Sequence, residues 1–269
     1  MTYEMLVLDL DGTLTNSEKK ITPPTKQALI EIQQQGKKVV LASGRPTPGV
    51  LPLAKELNLQ DYGSFILSYN GGRIINCATN EIIYNKTLPP SVIPTVYDIV
   101  KEFDVDILTY SDDAVISGIK PNQYSELESS INKLPVKRVD NFAEYVDFPV
   151  NKLLITGDPA IAEKLEGILK EKFHKLLNIY RSDSFFLEVM PQNIDKAHSL
   201  QKLLSSVGLT SDQMICCGDG FNDLTMIEYA GLGVAMANAQ DIVKKNADFI
   251  TKSNDEDGVL YVINQFMRD

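Results

Sequence analysis

Positive charge is in short supply: 26 Lys and Arg stand against 36 Asp and Glu, a net charge of −10. Binding to nucleic acid or to an anionic membrane rests on clustered cations, so neither is expected as a partner. The pairs Lys19-Lys20 and Lys244-Lys245 are too short to change that and read as solvated helix ends. No apolar run approaches the length of a membrane span, and Met1-Thr-Tyr-Glu carries neither a basic region nor an apolar signal segment. Cysteine is sparse and odd in number. Cys77, Cys216 and Cys217 show no metal-ligand spacing, and the last two, neighbours in an apolar run, read as small core residues. A reduced, cytoplasmic setting is the expectation. The two histidines, His174 and His198, lack partner spacing and read as surface or packing residues, and the pair Phe185-Phe186 reads as core. Low-complexity tracts and internal repeats are absent.

What is present alternates strand and helix signals. Met5–Leu8 is a short apolar run ending in acidic residues, and Lys38–Ala42 is another, ending at Ser43-Gly44-Arg45. Between them Thr22-Pro23-Pro24 opens an amphipathic stretch with Ala28, Leu29 and Ile32, closed by Gly36, a helix start and stop in sequence. Ser64–Leu67 ends at Asn70-Gly71-Gly72. This βαβ rhythm implies parallel strands with crossover helices. From about Ile82 to Val189 the rhythm changes to short strands near 107–110, 114–119, 151–155, 176–181 and 185–189, with helices around 91–102, 123–132 and 159–172. After Pro191 the first rhythm returns, with a helix near 195–207, strands at Met214–Cys217, Leu232–Ala235 and Asp248–Ile250, and a helix after Asn222. The expected architecture is α/β: a doubly wound parallel sheet, Rossmann-like, from residues 1–82 and 190–269, with an α+β cap domain inserted at 83–189. The short linkers, one stiffened by Pro191, point to a mobile lid.

The candidate chemistry sits at three strand ends. Asp9 and Asp11, at i and i+2, project to one face, and Gly12 lets the chain turn past them. One carboxylate can be a nucleophile while the other handles protons or metal. Alone, the same residues also suit an acidic loop with a helix cap. Ser43-Gly44-Arg45 offers a hydroxyl, backbone N–H groups and a guanidinium for phosphate oxygens, or equally a capped strand-to-helix turn. Gly218-Asp219-Gly-Phe-Asn222-Asp223 offers two carboxylates and an amide, hard oxygen donors suited to Mg²⁺, or a glycine-rich loop with caps. Lys196 opens the preceding helix. In open α/β sheets ligands lie beyond the carboxyl ends of the strands, and three polar clusters at three such ends favour a shared site.

The order DxDGT, Ser-Gly-Arg, Lys, GDGxND resembles the haloacid dehalogenase-like superfamily. The long insert resembles its Cof-type, class IIB subgroup of sugar-phosphate phosphatases with a C2-type cap. That resemblance implies Asp9 as nucleophile and Asp11 as general acid and later base. It implies Ser43, Gly44, Arg45, Lys196 and Asn222 around the phosphoryl group, and Mg²⁺ at Asp9, Asp11 (through its carbonyl), Asp219 and Asp223. Ala197 stands where the subgroup usually has glycine. The acid must be protonated when the leaving oxygen departs, so the pKa of Asp11 is expected to be raised by Asp9 and by burial. The implied function is Mg²⁺-dependent hydrolysis of a small phosphorylated metabolite, a sugar phosphate by family, by a monomer or small homo-oligomer. A phosphomutase, and a metabolite-binding regulator with little catalysis, are the alternatives.

Overall fold

A computed structural model describes residues 2–268, so Met1 of the amino-terminal reading lies outside the described residues. The chain forms two compact units, Met1–Tyr84 with Asp195–Asp269, and Asn85–Ile194. Fourteen strands run in chain order among the described residues: β1 Met5–Leu8, β2 Lys38–Ala42, β3 Phe65–Ser68, β4 Arg73–Asn76, β5 Ile82–Asn85, β6 Val105–Tyr110, β7 Val115–Ser117, β8 Val136–Arg138, β9 Leu153–Gly157, β10 Leu177–Asp183, β11 Phe186–Pro191, β12 Met214–Gly218, β13 Leu232–Ala235 and β14 Phe249–Ile250.

The first unit is built on the sheet β14-β13-β12-β1-β2-β3-β4-β5. β1 pairs in parallel with both β2 and β12, and β12–β13, β13–β14 and β2–β3 are parallel too. The doubly wound parallel sheet expected from the sequence is therefore present. It is extended by β4, which turns back antiparallel on β3, so the sheet is mixed at that edge. Alternate residues of β1 feed two cores. Leu6 and Leu8 pack with Ala28, Leu29 and Ile32 of the helix Pro23–Gln34 and with Val259, Val262 and Ile263 of the helix Gly258–Phe266. Met5 and Val7 pack with Leu200, Leu203 and Leu204 of the helix Lys196–Val207. Burial on both faces is why β1, β2 and β12 read as continuous apolar runs. From β1 the chain passes to β2 on one side, while β12 lies on the other; the switch point falls where Asp9 follows β1.

The helices Thr47–Glu56 and Gly258–Phe266 were not legible as such from the sequence. The first carries Pro at its start and Pro52 inside, and the second begins at a glycine after Asp257 in the left-handed conformation.

The second unit is the sheet β10-β11-β9-β6-β7-β8, antiparallel except for β7–β8. Val105, Ile107, Leu153, Ile155, Leu187 and Val189, at period two, face a core shared with Val96, Val100, Leu165 and Leu169 of the helices Val92–Val100 and Pro159–Phe173. Phe185-Phe186 corrects the core reading. Phe185 lies in the turn between β10 and β11, half-buried, stacked on Tyr124 at 4.4 Å and edge-on to Phe186 at 4.8 Å.

The opposite face of β6 buries Asp106 completely. Its carboxylate accepts the hydroxyls of Ser117 (2.7 Å) and Ser125 (2.8 Å) and the N–H groups of Ile107 and Ile119 (both 3.0 Å). Four donors, from β6, β7, the segment after β7 and the helix Gln123–Asn132, converge on it. Asp106→Ala strands those donors, and a loss of roughly 3 kcal/mol or more is expected. Urea denaturation checks this; a loss under about 1 kcal/mol would show that the carboxylate is not what holds the helix to the sheet.

Candidate active site

Lys196 is the first residue of its helix, with Asp195 as cap accepting the His198 N–H at 2.8 Å. Its side chain is fully buried and its Nζ donates to Asp9 Oδ1 (2.7 Å), Asp223 Oδ1 (2.6 Å) and the Ala42 carbonyl (2.8 Å). All three ammonium donors are thereby used, and the ends of β1, β2 and β12 are joined. Ala197 takes the second helical position, where a methyl group is at home.

Asp223 is the tighter partner: its Oδ2 accepts the backbone N–H groups of Asp219 (3.0 Å) and Gly220 (2.9 Å). Asp219 accepts the Thr13 hydroxyl at 2.9 Å. Gly12 (φ +86°) passes so close to Asp219 that an added Cβ would overlap its Oδ2. Only glycine fits that turn.

Asp9, Asp219 and Asp223 bring carboxylate oxygens within 4.8 Å of one another. Fully ionised, the three carboxylates and the Lys196 ammonium sum to −2, a match for a divalent cation, and the donors are hard oxygens. With Asp223 already occupied by Lys196 and two N–H groups, Asp9 and Asp219 are the better placed direct ligands. The electrostatics agree. Burial, then Asp223, raise Asp9 above the usual carboxylate range, with Lys196 opposing. Burial and Asp223 push Asp219 up to about 6. Lys196 stays charged: burial works against the ammonium, but the two carboxylates outweigh it and raise its pKa.

Asp11 departs from expectation. Burial does act to raise its pKa, but Arg45 and then Lys19 overcome it, and the carboxyl is held below the usual range. Arg45 Nη2 lies 2.6 Å from Oδ1 and Nε 2.8 Å from Oδ2, while Lys19 Nζ is 2.9 Å from Oδ1. The expected upward shift is therefore corrected for this resting state, because two cations face the acid. Lys19 is likewise no helix end; it sits in a turn with φ +60°.

Ser43, buried at the end of β2, accepts the Arg45 N–H at 3.1 Å. Asn222 is exposed and donates to Asn70 Oδ1 at 3.0 Å rather than to a carboxylate. The same Asn70 oxygen lies 3.1 Å from where a Cβ on Gly44 would be. Thr13, Lys19, Asn70 and Asn238, which donates to the Gly12 carbonyl at 2.8 Å, were given no site role from the sequence. Two had a signal: Thr13 as the last residue of the DxDGT run and Asn70 as the polar end of the apolar run Ser64–Leu67. His174 ends the helix Pro159–Phe173 and His198 packs edge-on against Tyr84 at 6.4 Å.

The model for haloacid dehalogenase-like hydrolases matches residues 6–263. A solved haloacid dehalogenase-like hydrolase from Bacteroides thetaiotaomicron superposes with a TM-score of 0.96 at 46% identity, covering 98% of this chain and 99% of that one. The 5-amino-6-(5-phospho-D-ribitylamino)uracil phosphatase YcsE of Bacillus subtilis is 31% identical over 264 residues, 98% of this chain and 96% of its own length. A solved subclass IIB sugar phosphatase shares the fold, with a TM-score of 0.81 at 23% identity and 98% coverage of each chain.

A carboxylate with a raised pKa contributes stability while protonated and loses it as pH rises, here between the ordinary 3.8 and about 6 for Asp219. At pH 7 without divalent cations Asp219 is therefore ionised and repelled by Asp223. Asp219→Asn is expected to unfold about 2–4 °C above the parent in EDTA and to gain much less from added Mg²⁺. A thermal midpoint at or below the parent's in EDTA would contradict the repulsion.

Proposed function

The chain belongs to the haloacid dehalogenase-like hydrolase family, and from that premise we propose that it is a Mg²⁺-dependent phosphatase of small phosphate monoesters, acting through an aspartyl-phosphate on Asp9. The observation that carries the reading is the buried Lys196 ammonium, which fixes Asp9 by one oxygen and leaves the other to attack. The upward shift of Asp9 belongs to the cation-free site; a bound divalent cation would favour its ionised form, and an anionic carboxylate needs no base to become a nucleophile.

In the first step a bond forms between Asp9 Oδ2 and phosphorus while the bond to the leaving oxygen breaks in line. Its electron pair goes to the leaving oxygen, which takes a proton from Asp11. In the second, water attacks phosphorus, Asp11 accepts the water's proton, and the Asp9–phosphorus bond breaks to release inorganic phosphate. Ser43, the Gly44 N–H, Arg45, Lys196 and Asn222 are assigned to the phosphoryl oxygens. Mg²⁺ held by Asp9, the Asp11 carbonyl and Asp219, with Asp223 in support, would supply charge neutralisation. Two of the assignments require movement from the present geometry: Arg45 must leave Asp11, and Asn222 must leave Asn70.

A sugar-type phosphate is the assigned substrate class. The YcsE relative is named for a phosphate on a ribityl chain, a sugar-derived leaving group. Every assigned catalytic group lies in segments 9–45 and 196–223, so leaving-group preference is assigned to the Asn85–Ile194 unit. Changes to polar residues on and beside its sheet, Glu188 of β11 and Lys152 just before β9 among them (paired at 3.6 Å), are expected to shift kcat/KM among sugar phosphates and to alter an aryl phosphate far less. Parallel falls on both substrates in every folded variant would count against that assignment.

The test of the whole reading is phosphate release across sugar phosphates, nucleotides and cofactor phosphates, with and without Mg²⁺. Asp9→Asn keeps the shape and loses the nucleophile, so turnover is expected to fall on the order of 10⁴-fold or more. Activity within a few-fold of the parent, or unchanged activity in EDTA, would sink the covalent mechanism or the metal assignment respectively.

A further inference from the structure

The Asp11 carboxylate has more cationic partners than the mechanism above uses. Its Oδ1 accepts from both Arg45 Nη2 (2.6 Å) and Lys19 Nζ (2.9 Å), and its Oδ2 from Arg45 Nε (2.8 Å). Arg45 has an assigned place on the phosphoryl group; Lys19 has none. Yet the turn that carries Lys19 is held at many points. Lys19 adopts φ +60°, a conformation that costs an L-residue energy. Its N–H donates to the Asn16 carbonyl at 2.8 Å, and the Asn16 N–H to the Lys20 carbonyl at 3.0 Å. Asn16 Oδ1 accepts the N–H groups of Glu18 (3.1 Å) and Lys20 (3.0 Å). Ser17 binds Asp255 twice, N–H to Oδ1 at 2.8 Å and hydroxyl to Oδ2 at 2.6 Å. A solvated surface lysine needs no such mount; Lys20, next along, merely pairs with exposed Glu18.

We propose that Lys19 is a positioning residue for Asp11: it holds Oδ1, so that Oδ2 faces the leaving oxygen once the substrate's phosphoryl group draws Arg45 away. The inference rests on the phosphatase reading and deepens it. A guanidinium forks onto a phosphate dianion as readily as onto a carboxylate, and the dianion carries twice the charge. When Arg45 changes partner, Asp11 keeps one bond, to Lys19, and that bond stops the carboxyl from turning about its Cβ–Cγ axis. The oxygen vacated by Arg45 Nε is the one left to give and later take the proton. Lys19 keeps its own proton throughout; as a cation it opposes protonation of Asp11, and the departure of Arg45 together with the phosphoryl dianion beside the acid acts in the other direction.

The leaving group makes this testable in the full chain with Mg²⁺. An alkyl phosphate leaves as a basic alkoxide and needs the proton from Asp11; 4-nitrophenyl phosphate leaves as a weak base and hardly needs it. Lys19→Met is expected to lower kcat on the alkyl ester about tenfold, a part of what general acid catalysis supplies, with KM little changed. On the aryl ester the fall is expected to stay under about twofold. Lys19→Arg restores most of the loss, and Ser17→Ala, which loosens the mount, reproduces the split in weaker form. The Lys19 side chain is 61% exposed, so the variant keeps its fold. An equal fall on both esters, no change on either, or a change in KM alone overturns the inference. If the parent releases no phosphate from either ester, the phosphatase reading falls and takes this inference with it, an outcome distinct from an equal fall.

Discussion

Everything in the site depends on burying one ammonium. Taking a lysine side chain entirely out of water costs several kcal/mol unless its charge and all three donors are met, and Lys196 meets them with Asp9, Asp223 and the Ala42 carbonyl. Those acceptors come from the ends of β1 and β2 and the loop after β12, so satisfying one atom aligns three strand ends. The helix that delivers Lys196 is located just as tightly. Ser199 donates to the Gly71 carbonyl at 2.6 Å, and Gly71 (φ +101°) passes where a Cβ would lie 2.6 Å from the Asp195 carbonyl. Any side chain at 71 would push the helix, and the ammonium with it, off its three partners.

The charge is divided as well as balanced. Asp9, Asp219 and Asp223 with Lys196 sum to −2; Asp11 with Arg45 and Lys19 sums to +1. The two groups are built from residues only two apart at Asp9 and Asp11, yet they differ in sign. On the phosphatase reading the first attracts a divalent cation and the second a phosphoryl group. This local arrangement lets a chain with a net charge of −10 recruit an anion without any general basic surface. Arg45 and Lys19 also account for the lowered pKa of Asp11, outweighing the burial that would raise it.

Sequence patterns exposed the sheet, and the polar residues expected at its strand ends, because both follow from periodicity and spacing. Buried parallel strands are apolar throughout, and the residues just past their carboxyl ends are the polar ones, so Asp9, Ser43 and Asp219 were legible together. Partner choice was not. Nothing in the spacing of Arg45 or Lys19 says that both close on Asp11, because that depends on where two loops settle in three dimensions. Asn222 was placed in the site by motif, but whether its amide turns to a carboxylate or to Asn70 is a local competition between acceptors. Phe185 was misjudged because apolar character suggests burial, whereas a turn between two strands leaves a ring to stack on whatever lies beside it, here Tyr124. The antiparallel β4 escaped notice since Asn70-Gly71-Gly72 reads as the end of a parallel strand as naturally as a tight return.

A site built on loops must be held to the accuracy of a few tenths of an ångström that proximity catalysis demands, and here the loops are fixed by side chains bonding to backbone. Asn238 holds the Gly12 carbonyl and Asn254 the Thr15 carbonyl at 3.0 Å, while the Asn254 N–H donates to Asn238 Oδ1 at 3.1 Å. The segment that follows the Asp9–Asp11 pair is thus tied to segments near the carboxyl terminus, more than 220 residues on. Asp223 does the same within its own loop through the N–H groups of Asp219 and Gly220. Such bonds locate a backbone atom rather than a side-chain tip, so they set where the carbonyl of Asp11 and the carboxylate of Asp219 can lie. They also explain why the DxDGT and GDGxND segments contain so many small or amide residues: each glycine admits a close approach, and each short polar side chain reaches a neighbouring strand end without filling the space the substrate needs.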